Sequence, residues 1–251
     1  MTSRQEEILQ VLIKEYVKKA EPISSSFLAE KCGFDCSPAT LRAEMMGLEK
    51  DGYLRQPHTS AGRVPTDKAY RFFVDKLLQE KEKTGDLPAQ DRRAIDRAIE
   101  HSPREAHAIS SGLAKTMSNL VDDFVISGLA DTNEFYRMGF SNILESPEFD
   151  PLRRSSSEAR ERDDFFGFGN IFDEFENYFS QFLGQGPKEL VVYIGRENPH
   201  KHTQKEAIII ARYPLPEGHE GVSAVIGPMR MAYHRNLSLL KYITKKMNEL
   251  N

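Results

Sequence analysis

Within the first 52 residues the chain is punctuated repeatedly by residues that start or stop helices, and between those marks there is room only for three short helices. Glu21-Pro22 is a stop, because the proline ring pushes the preceding residue into extended backbone. Ser24–Ser26 offer capping hydroxyls, Gly33 an ending, and Ser37-Pro38 a capping hydroxyl followed by proline at the first helical position. Gly52 closes the series. The spacing predicts a first helix opened by the capping box Ser3-x-x-Glu6, with Ile8, Leu9, Leu12, Ile13 and Tyr16 on one face. A second helix is expected over about 25–31, with Leu28 facing the core. A third runs from Ser37-Pro38 to Gly52 on a buried stripe of Leu41, Met45 and Leu48.

Three such helices, with a short turn between the second and third, make a helix-turn-helix. At 100° per residue, Ala39, Arg42, Ala43, Met46 and Lys50 fall on the side of the third helix away from the stripe. Two alanines allow close approach and can touch a thymine methyl, and an arginine can reach a guanine edge or a phosphate. A helix that merely faced solvent would usually carry more Glu and Lys there. Tyr53 to Pro65 reads as a two-stranded hairpin around the polar tip His58-Thr59-Ser60-Ala61-Gly62, the position of the wing in a winged helix. Tip hydroxyls, backbone N–H groups and Arg63 suit phosphates or the minor groove, although a plain surface hairpin has the same local signature. Thr66 caps a fourth helix with Tyr70, Phe73, Val74, Leu77 and Leu78 as its apolar stripe.

Charge agrees with this placement. A net charge of −4 excludes a uniformly basic coat. Residues 53–76 nevertheless hold five Lys or Arg against two Asp or Glu, the local excess of a nucleic-acid footprint. The expected DNA-facing set is Ser37, Ala39, Thr40, Arg42, Ala43, Gln56, His58, Thr59, Ser60, Arg63, Lys68 and Arg71.

Residues 37–75, SPATLRAEMMGLEKDGYLRQPHTSAGRVPTDKAYRFFVD, closely resemble the heat-inducible transcription repressor family HrcA. Gln56–Phe72 is the most specific run, and the resemblance resumes in GFSNILESPEF (Gly139–Phe149), IGRENPHK (Ile194–Lys201) and VIGPMRMAYHR (Val225–Arg235). It implies a cytoplasmic repressor of chaperone operons that binds an inverted-repeat DNA operator as a homodimer and is kept active by a GroE-type chaperonin. The chain departs from the family pattern at Ala43-Glu44, where Asn-Asp is usual, and in a shorter middle.

The fold class expected is α+β: a winged helix-turn-helix over 1–80, then a reduced GAF-like and dimerisation domain over 81–251 with a mobile loop at about 151–170. The patterns predict helix over 88–120 and about 171–184. They predict strands at Val125–Leu129, Phe135–Phe140, Leu190–Ile194, Ala207–Tyr213 and Val222–Ile226, and a closing helix at about 230–249. The helices of 88–120 and 230–249 are the expected dimer contact.

Other chemistries are weakly supported. Cys32-x-x-x-Cys36 and His200-Lys-His202 each lack the further ligands a zinc site needs. No Gly-rich phosphate loop, G-x-S-x-G or H-E-x-x-H occurs, so no catalytic, cofactor or metal site is expected. No apolar run reaches the ~18 residues of a membrane span. Two rival readings remain: a ligand-sensing regulator with a metabolite pocket near Phe165–Phe168, or a protein-interaction module without specific DNA binding.

Overall fold

A computed structural model describes residues 1–79, 87–132, 134–144 and 189–250. The chain divides into two compact units, Met1–Lys81 and Glu82–Asn251. The expected loop at 151–170, the Phe165–Phe168 aromatics and the helix at 171–184 lie outside the described residues.

The first unit opens with α1 (Ser3–Lys19), whose N-cap is Thr2 rather than Ser3. Thr2 Oγ1 accepts from Gln5 N at 3.2 Å and Gln5 Oε1 accepts from Thr2 N at 3.0 Å. Thr2-x-x-Gln5 satisfies the same reciprocal pattern as the expected box, one residue earlier, so Ser3 becomes the first helical residue. Ala20, in the left-handed region at φ 54°, ends the helix before Pro22. Ser24 caps α2 (Ser25–Lys31) and Ser37 caps α3 (Pro38–Lys50). Gly52 supplies the positive φ of 79° that turns the chain out of α3.

Two-residue strands β1 (Leu54–Arg55) and β2 (Val64–Pro65) then pair antiparallel, Leu54 opposite Pro65 and Arg55 opposite Val64. Helix α4 (Asp67–Gln79) follows. Ile8, Leu9, Leu12, Ile13, Leu28, Leu41, Leu48, Leu54, Val64 and Val74 are buried and form the core of the unit. The stripe of α4 is narrower than its sequence suggests, because Leu78 is exposed.

In the second unit the helix expected over 88–120 is two helices, α5 (Ala89–Glu100) and α6 (Ala106–Ser118). The break falls at Ser102-Pro103, where proline disfavours helix in its predecessor, and the Ser102 hydroxyl donates to the Ala98 carbonyl at 2.6 Å. Strands β3 (Phe124–Leu129), β4 (Glu134–Met138), β5 (Leu190–Ile194), β6 (Glu206–Pro214) and β7 (Glu220–Pro228) form one antiparallel sheet in the order β4-β3-β7-β6-β5. The short helix α7 (Phe140–Leu144) follows β4, and α8 (Tyr233–Leu250) ends the described chain. Helix α6 lies on β3 and β4, and α8 on β6. No helix among the described residues is long and apolar enough to cross a membrane.

All six residues of β3 are buried, so this strand is covered on both faces. Alternation sends Phe124 and Ile126 into one apolar cluster with Ile208, Ile210, Val222, Ala224 and Ile226. Val125, Ser127 and Leu129 face the other way. There Ser127, Tyr213 and Ser223 join their hydroxyls at 2.7–3.3 Å, and burial pushes the Tyr213 phenol above its ordinary range. Tyr213 fits because its cross-strand partner is Gly221, where a Cβ would come within 2.4 Å of the ring.

Side-chain amides lock the connecting segments. Asn142 donates to the carbonyls of Ser118 and Val121 at 3.2 and 3.0 Å. Asn198 donates to those of Gly195, Thr203 and Glu206 at 2.8–3.0 Å. Helices α5 and α8 meet through Asp91–Arg235 at 3.0 Å and Asp96–Tyr242 at 2.8 Å. Burial, then the Asp96 carboxylate, raises the Tyr242 phenol to about 12. Asn236 donates to the buried Asp123 carboxylate at 2.7 Å, and that carboxylate occupies the space over Gly227. Replacing Asn236 with alanine removes one donor from a buried carboxylate. Urea unfolding of Asn236→Ala should show a loss of about 2 kcal/mol.

Candidate nucleic-acid interface

The outer side of α3 is as open as its sequence pattern requires. Ser37, Ala39, Arg42, Ala43 and Lys50 are exposed, and Met46 is 55% exposed. Ser37 Oγ accepts from Thr40 N at 3.1 Å and also bonds the Thr40 hydroxyl at 3.0 Å. These two residues therefore build the helix start, and Ala39, Arg42 and Ala43 form the accessible surface beyond it. Arg42 has no ion pair among the described residues.

The hairpin is anchored by backbone. Ile23, in the turn before α2, exchanges two peptide hydrogen bonds with Arg63: Ile23 N to Arg63 O at 2.9 Å and Arg63 N to Ile23 O at 2.8 Å. Gly62 makes this approach possible, since a Cβ there would lie 2.4 Å from both the carbonyl carbon and oxygen of Ile23. At the tip, Ala61 N donates to His58 O at 2.9 Å, while Gln56 Nε2 donates to the carbonyls of Thr59 and Ala61, both at 2.9 Å. Three tip carbonyls are thus turned onto internal donors. A carbonyl oxygen repels a phosphate, and the exposed residues of the tip are His58, Thr59 and Ser60.

Four of the expected contact residues have work inside the unit. Gln56 shapes the tip, as described. Arg63 Nε donates to Glu49 Oε2 at 2.9 Å, and its side chain is only 13% exposed. Lys68 Nζ donates to the Asp51 carbonyl at the end of α3, at 2.8 Å, and lies 4.3 Å from the centre of the Tyr53 ring. Arg71 pairs with Asp75 one turn along α4, at 3.3 Å. Thr66 joins the same frame: its hydroxyl donates to the Gly52 and Tyr53 carbonyls at 2.7 and 3.0 Å and accepts from Ala69 N at 3.4 Å.

Glu49, Gly62 and Ile23 are the residues that sequence patterns missed here. Glu49 had a legible signal: it is an acid at i+7 from Arg42, on the same helix stripe. Elsewhere, burial and then Glu15 raise the Cys32 thiol above its usual range. Among the described residues no three His, Cys, Asp or Glu side chains gather as a metal site would require.

Comparison with known proteins gives this arrangement a family. Residues 75–237 match the family model described as the HrcA protein C-terminal domain. The chain belongs to the HrcA family. Curated relatives named heat-inducible transcription repressor HrcA align along its whole length. The one from Dehalococcoides mccartyi is 27% identical over 100% of this chain and 96% of its own. The one from a Synechococcus species is 29% identical over 98% of each. The D. mccartyi alignment spans 335 positions against 251 residues here, so 335 less 251, or 84, are gaps in this chain. A crystal structure described as that of a hypothetical protein shares the fold, with a TM-score of 0.78, 18% identity and coverage of 99% of this chain and 98% of that one.

The Gly62 contact makes a direct prediction. Gly62→Ala should part the Ile23–Arg63 pairing and destabilise the first unit by about 2 kcal/mol, the ordinary cost of forcing a group into filled space. Thermal unfolding would show the loss, and amide exchange at Ile23 and Arg63 would rise with it.

Proposed function

We propose that this member of the HrcA family represses transcription of chaperone operons by binding an inverted-repeat operator as a homodimer. In this reading residues 1–80 are a winged helix-turn-helix. Helix α3 enters the major groove, with its N-terminal residues at the base edges. Ala39 and Ala43 permit close approach, and Arg42 reads a guanine or holds a phosphate. His58, Thr59 and Ser60 meet the backbone or minor groove at the flank. Ser37, Thr40, Gln56, Arg63, Lys68 and Arg71 support that surface through their partners within the unit. The single observation that carries the reading is the open, acid-free N-terminal half of the outer side of α3 beside a tip whose carbonyls are turned inward, in a chain whose relatives are named as repressors.

Residues 81–251 would be the GAF-like and dimerisation part. Two-fold symmetry would set two copies of α3 on half-sites related by a dyad. Maintenance by a GroE-type chaperonin belongs to the same proposal, through the family alone.

Fluorescence anisotropy tests it, using a duplex from upstream of the organism's own chaperone genes and a random duplex of equal length. Tight binding to the first, two chains per duplex, is expected. Equal weak binding to both would overturn the operator reading. Arg42→Ala should weaken operator binding by about 1–3 kcal/mol if its contact is a bidentate pair with guanine. Equal losses on both duplexes would make it a phosphate contact.

A further inference from the structure

Glu49 is out of place on a surface that faces DNA. At 100° per residue it shares a stripe with Arg42 and Met46, and its carboxylate is a third exposed. An acid there opposes phosphate unless it is neutralised. Its partner is Arg63, whose side chain is held inward and whose peptide N–H and carbonyl are both taken by Ile23. Through this one residue, α3 is tied to the base of the hairpin, four residues or fewer from Thr59 and Ser60. Helix and tip must reach the duplex together, so their spacing bears on fit to a particular site.

We infer that Glu49 is a positioning residue: its ion pair with Arg63 sets the hairpin tip against the outer side of α3, and Arg63 acts through this pair rather than on a phosphate. The inference rests on the DNA-binding reading above.

The two possible roles of Arg63 predict opposite signs for Glu49. Removing an acid from a DNA-facing side, with nothing else changed, tightens binding to every duplex. A positioning acid does the reverse on the operator. Glu49→Gln and Arg63→Gln should each lose about tenfold in operator affinity, near 1.4 kcal/mol, with little change on random duplex. The double variant should be no worse than either single, because both remove one interaction. The salt slope of Arg63→Gln on random duplex should equal that of the unaltered protein. Exchanging the charges, Glu49→Arg with Arg63→Glu, should restore the operator-to-random ratio.

The inference is overturned if Glu49→Gln binds both duplexes as tightly or more tightly while Arg63→Gln weakens on both with a flatter salt slope. Circular dichroism melts would establish that each variant is folded. Should the single variants unfold, the exchanged pair decides: folded but unselective, it overturns the inference. An unaltered protein that does not prefer the operator would overturn the DNA-binding reading itself, and the inference with it, before any variant is made.

Discussion

Two peptide hydrogen bonds between Ile23 and Arg63 hold the first unit's outward surface together. Strands β1 and β2 have only two residues each, too few to be stable as an isolated hairpin. Ile23 adds a third row of backbone pairing and ties the hairpin to the turn before α2. Gly62 is the condition for that approach, since any side chain would occupy the space of the Ile23 carbonyl. The remaining polar groups secure what the backbone begins. Gln56 organises the tip, Thr66 and Lys68 satisfy carbonyls at and just beyond the end of α3, and Glu49 meets Arg63. Together these contacts turn several carbonyl oxygens onto donors within the unit.

The second unit solves the same backbone problem with buried polar side chains. Its sheet joins β3 to β7 across more than ninety residues of sequence, and β3 has no face in water. Loops leaving such a sheet need partners for their peptide groups, because an unpaired buried group is costly. Asn142 and Asn198 supply donors to five carbonyls between them, and Asn236 meets the carboxylate of Asp123. These residues fall in or beside the segments GFSNILESPEF, IGRENPHK and VIGPMRMAYHR. Within the described residues, these three amides, with Gly139 and Gly227 where a Cβ would meet Asp123, let strands and turns close on one another.

Much of the first unit was legible because its signals are local. Ser24, Ser37, Pro38, Gly33 and Gly52 act within a turn of where they stand, and each sits at the helix end its chemistry suggests. Thr2 displaced Ser3 as the cap of α1 because two overlapping boxes compete there and hydrogen-bond geometry chose between them. In the second unit, apolar period placed α6 and the strands, while the break between α5 and α6 required weighing Ser102-Pro103 against an otherwise helical pattern. The outer side of α3 was legible for the same reason as its buried side: one implies the other at 100° per residue.

The sequence by itself determined where helices begin and end, which side of each is apolar, and which family the segments resemble, because capping, proline and period act over a few residues. Only the tertiary structure decided what each polar side chain does. Gln56, Arg63 and Lys68 carry the same chemistry whether they face a ligand or, as here, neighbouring carbonyls and the Glu49 carboxylate. Their partners within the unit are supplied by Glu49 and Asp51, fourteen and seventeen residues before Arg63 and Lys68, and by the folding back of the tip onto Gln56. Strand order was decided the same way, since β3 meets β7 only when the sheet is assembled and the hydroxyls of Ser127, Tyr213 and Ser223 find each other within it.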